Sequence, residues 1–578
     1  MPALWYNGTM KVMNRPALKI LIGIAIVALT CMSAANTTTK HAAFEEKAFI
    51  AGEDSMVVVY QPDEHGDLHK AKSVPRGTGV ILREEAPVEF DGVEFSRVFL
   101  AGDESGEVYY IDAGSLTDKK SKVVREKELY VRTPVTIYAG KKGPEIAGFA
   151  PKGTKLMVTG YSGLDNRGVV YKYKVQIAED KDSEGTAEAE NVTEGYVYSK
   201  YLVRTQEEAD AVYNENGEYD KAKKSKYGIE LYGGKATDLD YYPYERTEIE
   251  GKTFCREAKG MYLNWYAALH NDDYIKLIKE TGCNAVVIDI KDGALSYKSP
   301  AAEELSPSAF KSAHVPLEDF QAAVQKFGDE GIYTIGRITC FNDGQYAKDH
   351  PEDCIKTGVS GSAWPSAYSR DVWYYNVALA TEAVELMDFD EIQFDYVRFP
   401  EQAYEMSKDK GTDFRNAYGE SKIQAIQNFC FYAADQIHEA GAYFSVDVFG
   451  ECSNGYVTAC GQYWPGISNI VDAISSMPYT DHFGRTDTWS QPKAVISAWA
   501  KKAAKEQTKI PTPAAARTWI TGYNTPFWSP SVTYDESKLR QQVDALYEAG
   551  LDGGFIPWNS ASPIETYRLY KGIWNYER

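Results

Sequence analysis

From residue 259 onward, short apolar runs alternate with longer stretches in which apolar residues recur every three or four positions. Runs of the first kind lie at 260–265, 285–290, 333–340, 391–397, 443–449, 473–478, 513–521 and 554–558, and they read as strands. Between them, Val372, Tyr375, Leu379, Ala383 and Leu386 share one helical face, and so do Ile423, Ile426, Cys430, Ala433 and Ile437. Gly282, Gly331, Gly441 and Gly550 each stand where a helix gives way to the next strand. Eight strand-then-helix units predict an α/β domain over 259–578, a (β/α)8 barrel.

The pattern upstream is different. Over 47–205, short alternating runs are separated by Gly and charged turns, and the grammar repeats after about 80 residues. Val74-Pro75-Arg76-Gly77-Thr78 answers to Ala150-Pro151-Lys152-Gly153-Thr154, and Gly106 to Ile111 closing at Leu116 answers to Glu194 to Tyr198 closing at Leu202. Two small all-β barrels are expected, at 47–118 and 126–205, followed by a connection at 206–258 whose Tyr241-Tyr242-Pro243-Tyr244 breaks any regular element. At the front, Lys11, Arg15 and Lys19 precede the ten apolar residues 20–29 and then Ser33-Ala34-Ala35. That run is short for a bilayer span, so 1–35 reads as a signal peptide, with an uncleaved membrane anchor as the alternative. Thr30 before Cys31 fits a lipoprotein site poorly. The protein is therefore expected to be secreted or on the extracellular cell surface.

Composition narrows the function. At 578 residues with 44% hydrophobic and 25% charged positions the chain is ordinary multidomain globular protein. A formal net charge of −21 argues against nucleic acid as a partner. The seven cysteines after Cys31 show no CxxC and no regular spacing, so buried free thiols are expected, with a Cys452–Cys460 bridge as the other reading. No GxSxG elbow, Walker loop, HExxH or dinucleotide fingerprint is present, and no cofactor is expected. The eight His are scattered without ligand spacing; metal-assisted hydrolysis through Asp289, Asp395 and Asp447 is the lesser alternative.

Barrel active sites lie at the C-terminal ends of the strands, so polar residues just past each apolar run are the candidates. They are Trp265; Asp289, Lys291 and Asp292; Arg337; Asp395, Tyr396 and Arg398; Asp447 and Glu451; Tyr479 and His482; Arg517 and Trp519; Trp558 and Asn559. Two carboxylates flanking a bond are what glycosidic cleavage requires. Asp395 is the expected nucleophile or base, kept ionised by Arg337 or Arg398, and Asp447, or else Glu451, the acid, its proton held by apolar neighbours. The others are expected to bind substrate, although Asp289 with Lys291 also reads as a structural ion pair. Asp388, Asp390 and Glu391 precede the apolar stretch Ile392-Gln393-Phe394 of the fourth run and are expected to be solvated charges at the far end of the barrel.

The motifs at Lys259-Gly260-Met261-Tyr262, Val286 to Asp292, Gly336-Arg337-Ile338, Asp390 to Pro400 and Ser445 to Gly450 together resemble a glycoside hydrolase-like domain family once classed as a domain of unknown function. The resemblance runs from about Lys259 to Tyr567, with Thr518 standing where that family tends to have proline. It implies a barrel related to retaining glycosidases, with Asp395 as the catalytic candidate and Asp289, Arg337 and Asp447 in the site. The Pro-Lys-Gly-Thr turn and the Gly-Tyr-Val end resemble bacterial SH3-like domains, which implies attachment to cell wall or glycan; a plain spacer is the other reading. The expected protein is a glycoside hydrolase acting on a polysaccharide or cell-wall glycan, with a possible membrane tether. The alternative is a non-catalytic glycan-binding or cell-envelope scaffold.

Overall fold

The computed structural model describes residues 48–577 apart from 84–86, 178–192, 214–229, 362, 484–487 and 526–528. The segment read as a signal peptide or anchor, 1–35, lies outside them. Among the described residues no helix is long and apolar enough to cross a membrane. The chain divides into two compact units, Met1–Val123 and Val124–Arg578.

The first unit is one antiparallel sheet of eight strands closed over Ile50, Val59, Val80, Val98 and Ile111. In its turn at Pro75–Thr78, Gly77 N–H donates to the Ile50 carbonyl at 2.8 Å and Ile50 N–H to the Thr78 carbonyl at 2.9 Å. The second unit opens with a seven-stranded sheet that uses the same turn: Gly153 N–H donates to the Val131 carbonyl at 2.7 Å, and Val131 N–H to the Thr154 carbonyl at 3.0 Å. In both, the penultimate strand runs into a single 3-10 turn (Ala113–Ser115, Ser199–Tyr201) and a two-residue strand that pairs with the opening strand. The repeat in the sequence is thus a repeat of hydrogen bonds.

The rest of the second unit is a closed barrel of eight parallel strands: β1 (Ala258–Leu263), β2 (Ala285–Asp292), β3 (Tyr333–Thr339), β4 (Glu391–Asp395), β5 (Tyr443–Phe449), β6 (Ala473–Met477), β7 (Ala515–Thr521) and β8 (Gly554–Trp558). Each pairs with its sequence neighbour, and β1 closes the ring against β8. The two amphipathic patterns in the sequence are helices α1 (Arg370–Met387) and α2 (Lys422–Ala440). Ser421 starts α2 with a capping box, and Gly441 ends it at a φ of 98°.

Strand side chains alternate, and this sets what faces the barrel axis. In β4, Ile392 and Phe394 face outward, and Phe394 stacks on Phe429 of α2. Glu391, Gln393 and Asp395 face inward at three successive levels. Glu391 is therefore no solvated charge: it is fully buried and grips Arg517 of β7 at 2.5 and 3.2 Å, with Ser445 and Tyr333 also donating to it. Of its neighbours in the chain, Asp388 is exposed, whereas Asp390 is half-buried and accepts from Thr334.

The connection at 206–258 is more than a link. Leu239 and Tyr241 are buried with Ile423, Val457 and Tyr463, and Arg246 donates to the carbonyls of Ser468, Val471 and Thr512. All the cysteines from Cys255 onward are free thiols, and six of the seven are buried.

Candidate active site

The top level of inward-facing residues brings Tyr262 (β1), Asp289 (β2), Arg337 (β3), Asp395 (β4), Asp447 (β5), Trp519 (β7) and Trp558 (β8) together at the C-terminal ends of the strands. Arg337 is their hub. Its Nη1 donates to Asp289 Oδ1 at 2.7 Å, its Nη2 donates to Asp395 Oδ2 at 2.6 Å, and its Nε lies 3.8 Å from Asp447 Oδ2. The Trp558 ring lies 5.4 Å from the guanidinium carbon, on which its face exerts a cation–π attraction.

Each carboxylate is held differently. Asp289 accepts a very short bond from the Tyr262 hydroxyl, and burial, offset by Arg337, pushes its pKa up to about 6. Asp395 accepts the Tyr396 N–H at 2.6 Å, and Tyr396 holds a φ of 54°, a left-handed conformation costly for a tyrosine. Asp447 accepts the Trp519 Nε1–H at 2.8 Å on Oδ1, while its Oδ2 and the facing Arg337 Nε make no hydrogen bond. Burial, reinforced by the negative charge of Asp395, raises the Asp447 pKa well above the ordinary carboxylate range. Arg337 hydrogen-bonds to Asp289 and Asp395, whereas Asp447 has only its Nε at 3.8 Å.

Side-chain exposure separates the acids further: none for Asp447, 4% for Asp289, 7% for Asp395 and 49% for Asp292, whose Oδ1 is 3.9 Å from Arg337 Nη1. Asp292 is thus the rim carboxylate, above a dry floor. Tyr479, after β6, is buried beside Asp395 and Asp447, and burial, reinforced by the carboxylate of Asp395, raises its own pKa.

Other sequence candidates lie elsewhere. Arg517 sits one level deeper than Trp519, fully buried and ion-paired to Glu391 below the carboxylate cluster. Lys291 is turned away by a register shift between Asp289 and Lys291; its Nζ is buried against Asp343 at 2.6 Å and Asn376 at 2.9 Å, and its ion pair is with Asp343 rather than Asp289. Arg398 lies 3.3 Å from Glu401 and over the Phe449 ring, so Arg337 alone holds Asp395. Glu451 is exposed, accepts the Tyr456 hydroxyl and borders a side cleft with His482. Tyr396 is half-buried beside Trp364. Trp265 stacks on His314 with centroids 4.3 Å apart, and Asn559 donates to the Gly522 carbonyl at 3.2 Å. Tyr262 was not singled out from the sequence; the parity of β1, which places it level with the acids, is the signal that would have found it.

A charged constellation on the C-terminal face of a (β/α)8 barrel defines a barrel enzyme of the carboxylate-dependent kind. The profile of the family described as "Putative glycosyl hydrolase domain" matches residues 260–563, more than half of the chain, and the chain belongs to that family. It is a glycosyl hydrolase, and its substrate class is carbohydrate. Among curated proteins none matches the chain. Of solved structures, a hypothetical protein from Ruminiclostridium thermocellum is 33% identical over 32% of this chain and 97% of its own, with a TM-score of 0.27. The PgaB (BpsB) glycoside hydrolase domain from Bordetella bronchiseptica is 12% identical over 56% of this chain and 100% of its own, at a TM-score of 0.39. Alpha-L-fucosidase isoenzyme 2 from Paenibacillus thiaminolyticus is 12% identical over 55% and 49% of the two chains, at 0.37. The family assignment rests on the profile match alone.

Proposed function

We propose that the protein is a secreted or surface-attached glycoside hydrolase that cleaves a polysaccharide with Asp395 and Asp447 as its paired carboxylates, retaining the anomeric configuration. The observation that carries the pairing is Asp447 Oδ2: a buried carboxyl oxygen with a raised proton affinity and no hydrogen-bond partner. Among the described residues that oxygen makes no hydrogen bond, and the leaving glycosidic oxygen would supply an acceptor for its proton. Asp395, ion-paired to Arg337 and aimed by the Tyr396 N–H, is the carboxylate that attacks the anomeric carbon. Two carboxyls with such different environments divide the acid and nucleophile roles between them. Both touch one guanidinium, which favours the short separation of about 5–5.5 Å used in retention over the about 6.5–9.5 Å that admits a water. Catalytic hydrogen bonds are often long or poorly aligned before substrate binds, so the 3.8 Å between Asp447 and Arg337 is compatible with this role.

Asp292, open at the rim, orients sugar hydroxyls, and Asp289 with Tyr262 holds the Arg337 fork in place. The two β-sheets are SH3-like modules that attach the enzyme to wall or glycan, and the segment 1–35 directs it out of the cell. The test is a screen of aryl glycosides and polysaccharides with the wild type, Asp395→Asn and Asp447→Asn, with the first product followed by NMR. Loss of cleavage in Asp395→Asn and a product of unchanged anomeric configuration support the reading. Cleavage unaltered by Asp395→Asn removes that residue from the chemistry, and an inverted product removes the retaining mechanism.

A further inference from the structure

Beside the carboxylate cluster runs a cleft that the chemistry above does not use. Its volume is about 1220 Å3, and its walls include Phe449, Glu451, Met477, His482, Phe483 and Lys502. A second depression of about 540 Å3 shares Glu401, Phe449 and Glu451 with it, so the two form one trough. The trough is larger than the ~300–1000 Å3 pockets that enclose one compact ligand. It starts at the barrel mouth. Phe449 stands two residues past Asp447 on β5, Met477 is the last inward position of β6, and His482 sets its ring edge-on to Tyr479, centroids 5.3 Å apart.

The lining suits sugars more than a protein or lipid partner. Phe449 and Phe483 give apolar rings to the trough, and Phe483 keeps 39% of its surface exposed there. The same lining carries hydrogen-bonding groups: the Glu451 carboxylate, fixed by the Tyr456 hydroxyl at 2.6 Å, and Lys502, tied to Asn454 at 2.9 Å. Flat apolar faces together with fixed polar groups match a pyranose, which offers an apolar face and a rim of hydroxyls.

We propose that this trough holds several consecutive sugar residues of a polysaccharide on one side of the scissile bond, so that the enzyme binds its polymer internally and acts as an endo-hydrolase. The inference rests on the glycosidase reading above. It differs from it in placing a binding surface on the β5 and β6 side, with Phe483 as a stacking platform and Glu451 as a hydroxyl acceptor rather than an acid.

The test uses the full chain carrying Asp395→Asn, so that bound polymer is not consumed, in native gels cast with amylose, laminarin, arabinogalactan or glycol chitosan. The expected result is retardation in at least one gel, weakened at least fivefold in apparent Kd by adding Phe483→Ala and kept by Phe483→Trp, with unchanged melting temperature in all three. Retardation in none of the gels, equal retardation with Phe483→Ala, or equal loss with Phe483→Trp overturns the proposal. Wild-type products on the retarding polymer should be mixed oligosaccharides from the first minutes; monosaccharide alone overturns endo action. Turnover of aryl glycosides, and its loss in Asp395→Asn, tests the hydrolase reading separately, because those substrates do not extend into the trough.

Discussion

At Asp447 the balance of burial against charge has a direct kinetic consequence. A carboxyl that must be protonated to donate works below its pKa, and burial beside Asp395 has moved that pKa upward. The limb of the pH profile that depends on the Asp447 proton should therefore be displaced upward from the ordinary carboxylate range, activity falling as Asp447 loses its proton. In Asp447→Asn that limb of kcat/KM should disappear. The rate on glycosides with poor leaving groups should drop by about 100- to 10,000-fold, the span that general acid catalysis supplies, with a much smaller loss on activated aryl glycosides. Equal losses on both kinds of substrate would assign Asp447 to structure. The deeper Glu391–Arg517 pair obeys different physics. Both side chains have no solvent exposure, and removing one leaves the other charged and dry. Arg517→Met should cost about 3–5 kcal/mol in urea unfolding, and Glu391→Gln combined with Arg517→Met should recover much of it. Sequence order alone misjudges this pair, because Glu391 opens the run 391–397 four residues before Asp395 and reads as a solvated charge at the far end of the barrel. Parity along the strand decides instead: 391, 393 and 395 point the same way, as do 517 and 519, and the level in the barrel separates structural from chemical roles.

Among the elements, all eight strands were legible because parallel strands covered on both sides read as near-continuous apolar runs. What escaped is where the regular pattern breaks. The register shift between Asp289 and Lys291 sends Lys291 out of the interior and Asp292 to the rim, and neither Gly nor Pro marks it. The seam between β8 and β1 is another such place. Gly554 has a φ of 93°, and a Cβ there would stand 2.1 Å from the Ala258 carbonyl oxygen, the very backbone that closes the ring. Gly554→Ala meets a conformational penalty and a collision with immovable backbone at once, and should destabilise the barrel by about 3 kcal/mol or more. Thermal melting checks this; a midpoint within one or two degrees of wild type would show that the seam yields.

On the scale of the whole second unit, the small sheet is bolted to the barrel through α2. Tyr138 stacks on Tyr432 with centroids 5.9 Å apart, Tyr201 donates to Asp435 at 3.0 Å, and Lys172, with no exposure at all, reaches Glu439 at 2.7 Å. Tyr198 donates to the same Glu439 oxygen, also at 2.7 Å. No motif or spacing marks this joint, since the charges of α2 that do the fastening look like any solvated helix face until a partner covers them. A joint this buried fixes the direction in which the sheet faces relative to the barrel mouth. Lys172→Met removes the cation and leaves Glu439, 16% exposed, with the Tyr198 hydroxyl as a neutral donor in place of its ion pair. It should cost about 3 kcal/mol, while Lys172→Met with Glu439→Gln should cost less than the single change. In calorimetry the wild-type sheet and barrel should melt together. Lys172→Met should pull the sheet's transition to lower temperature ahead of the barrel's, with aryl glycoside turnover at 25 °C unaffected because the joint lies on the outer face of α2, away from Arg337. A single unshifted transition in Lys172→Met would mean that the aromatic stack carries the joint and the buried ion pair adds nothing to it.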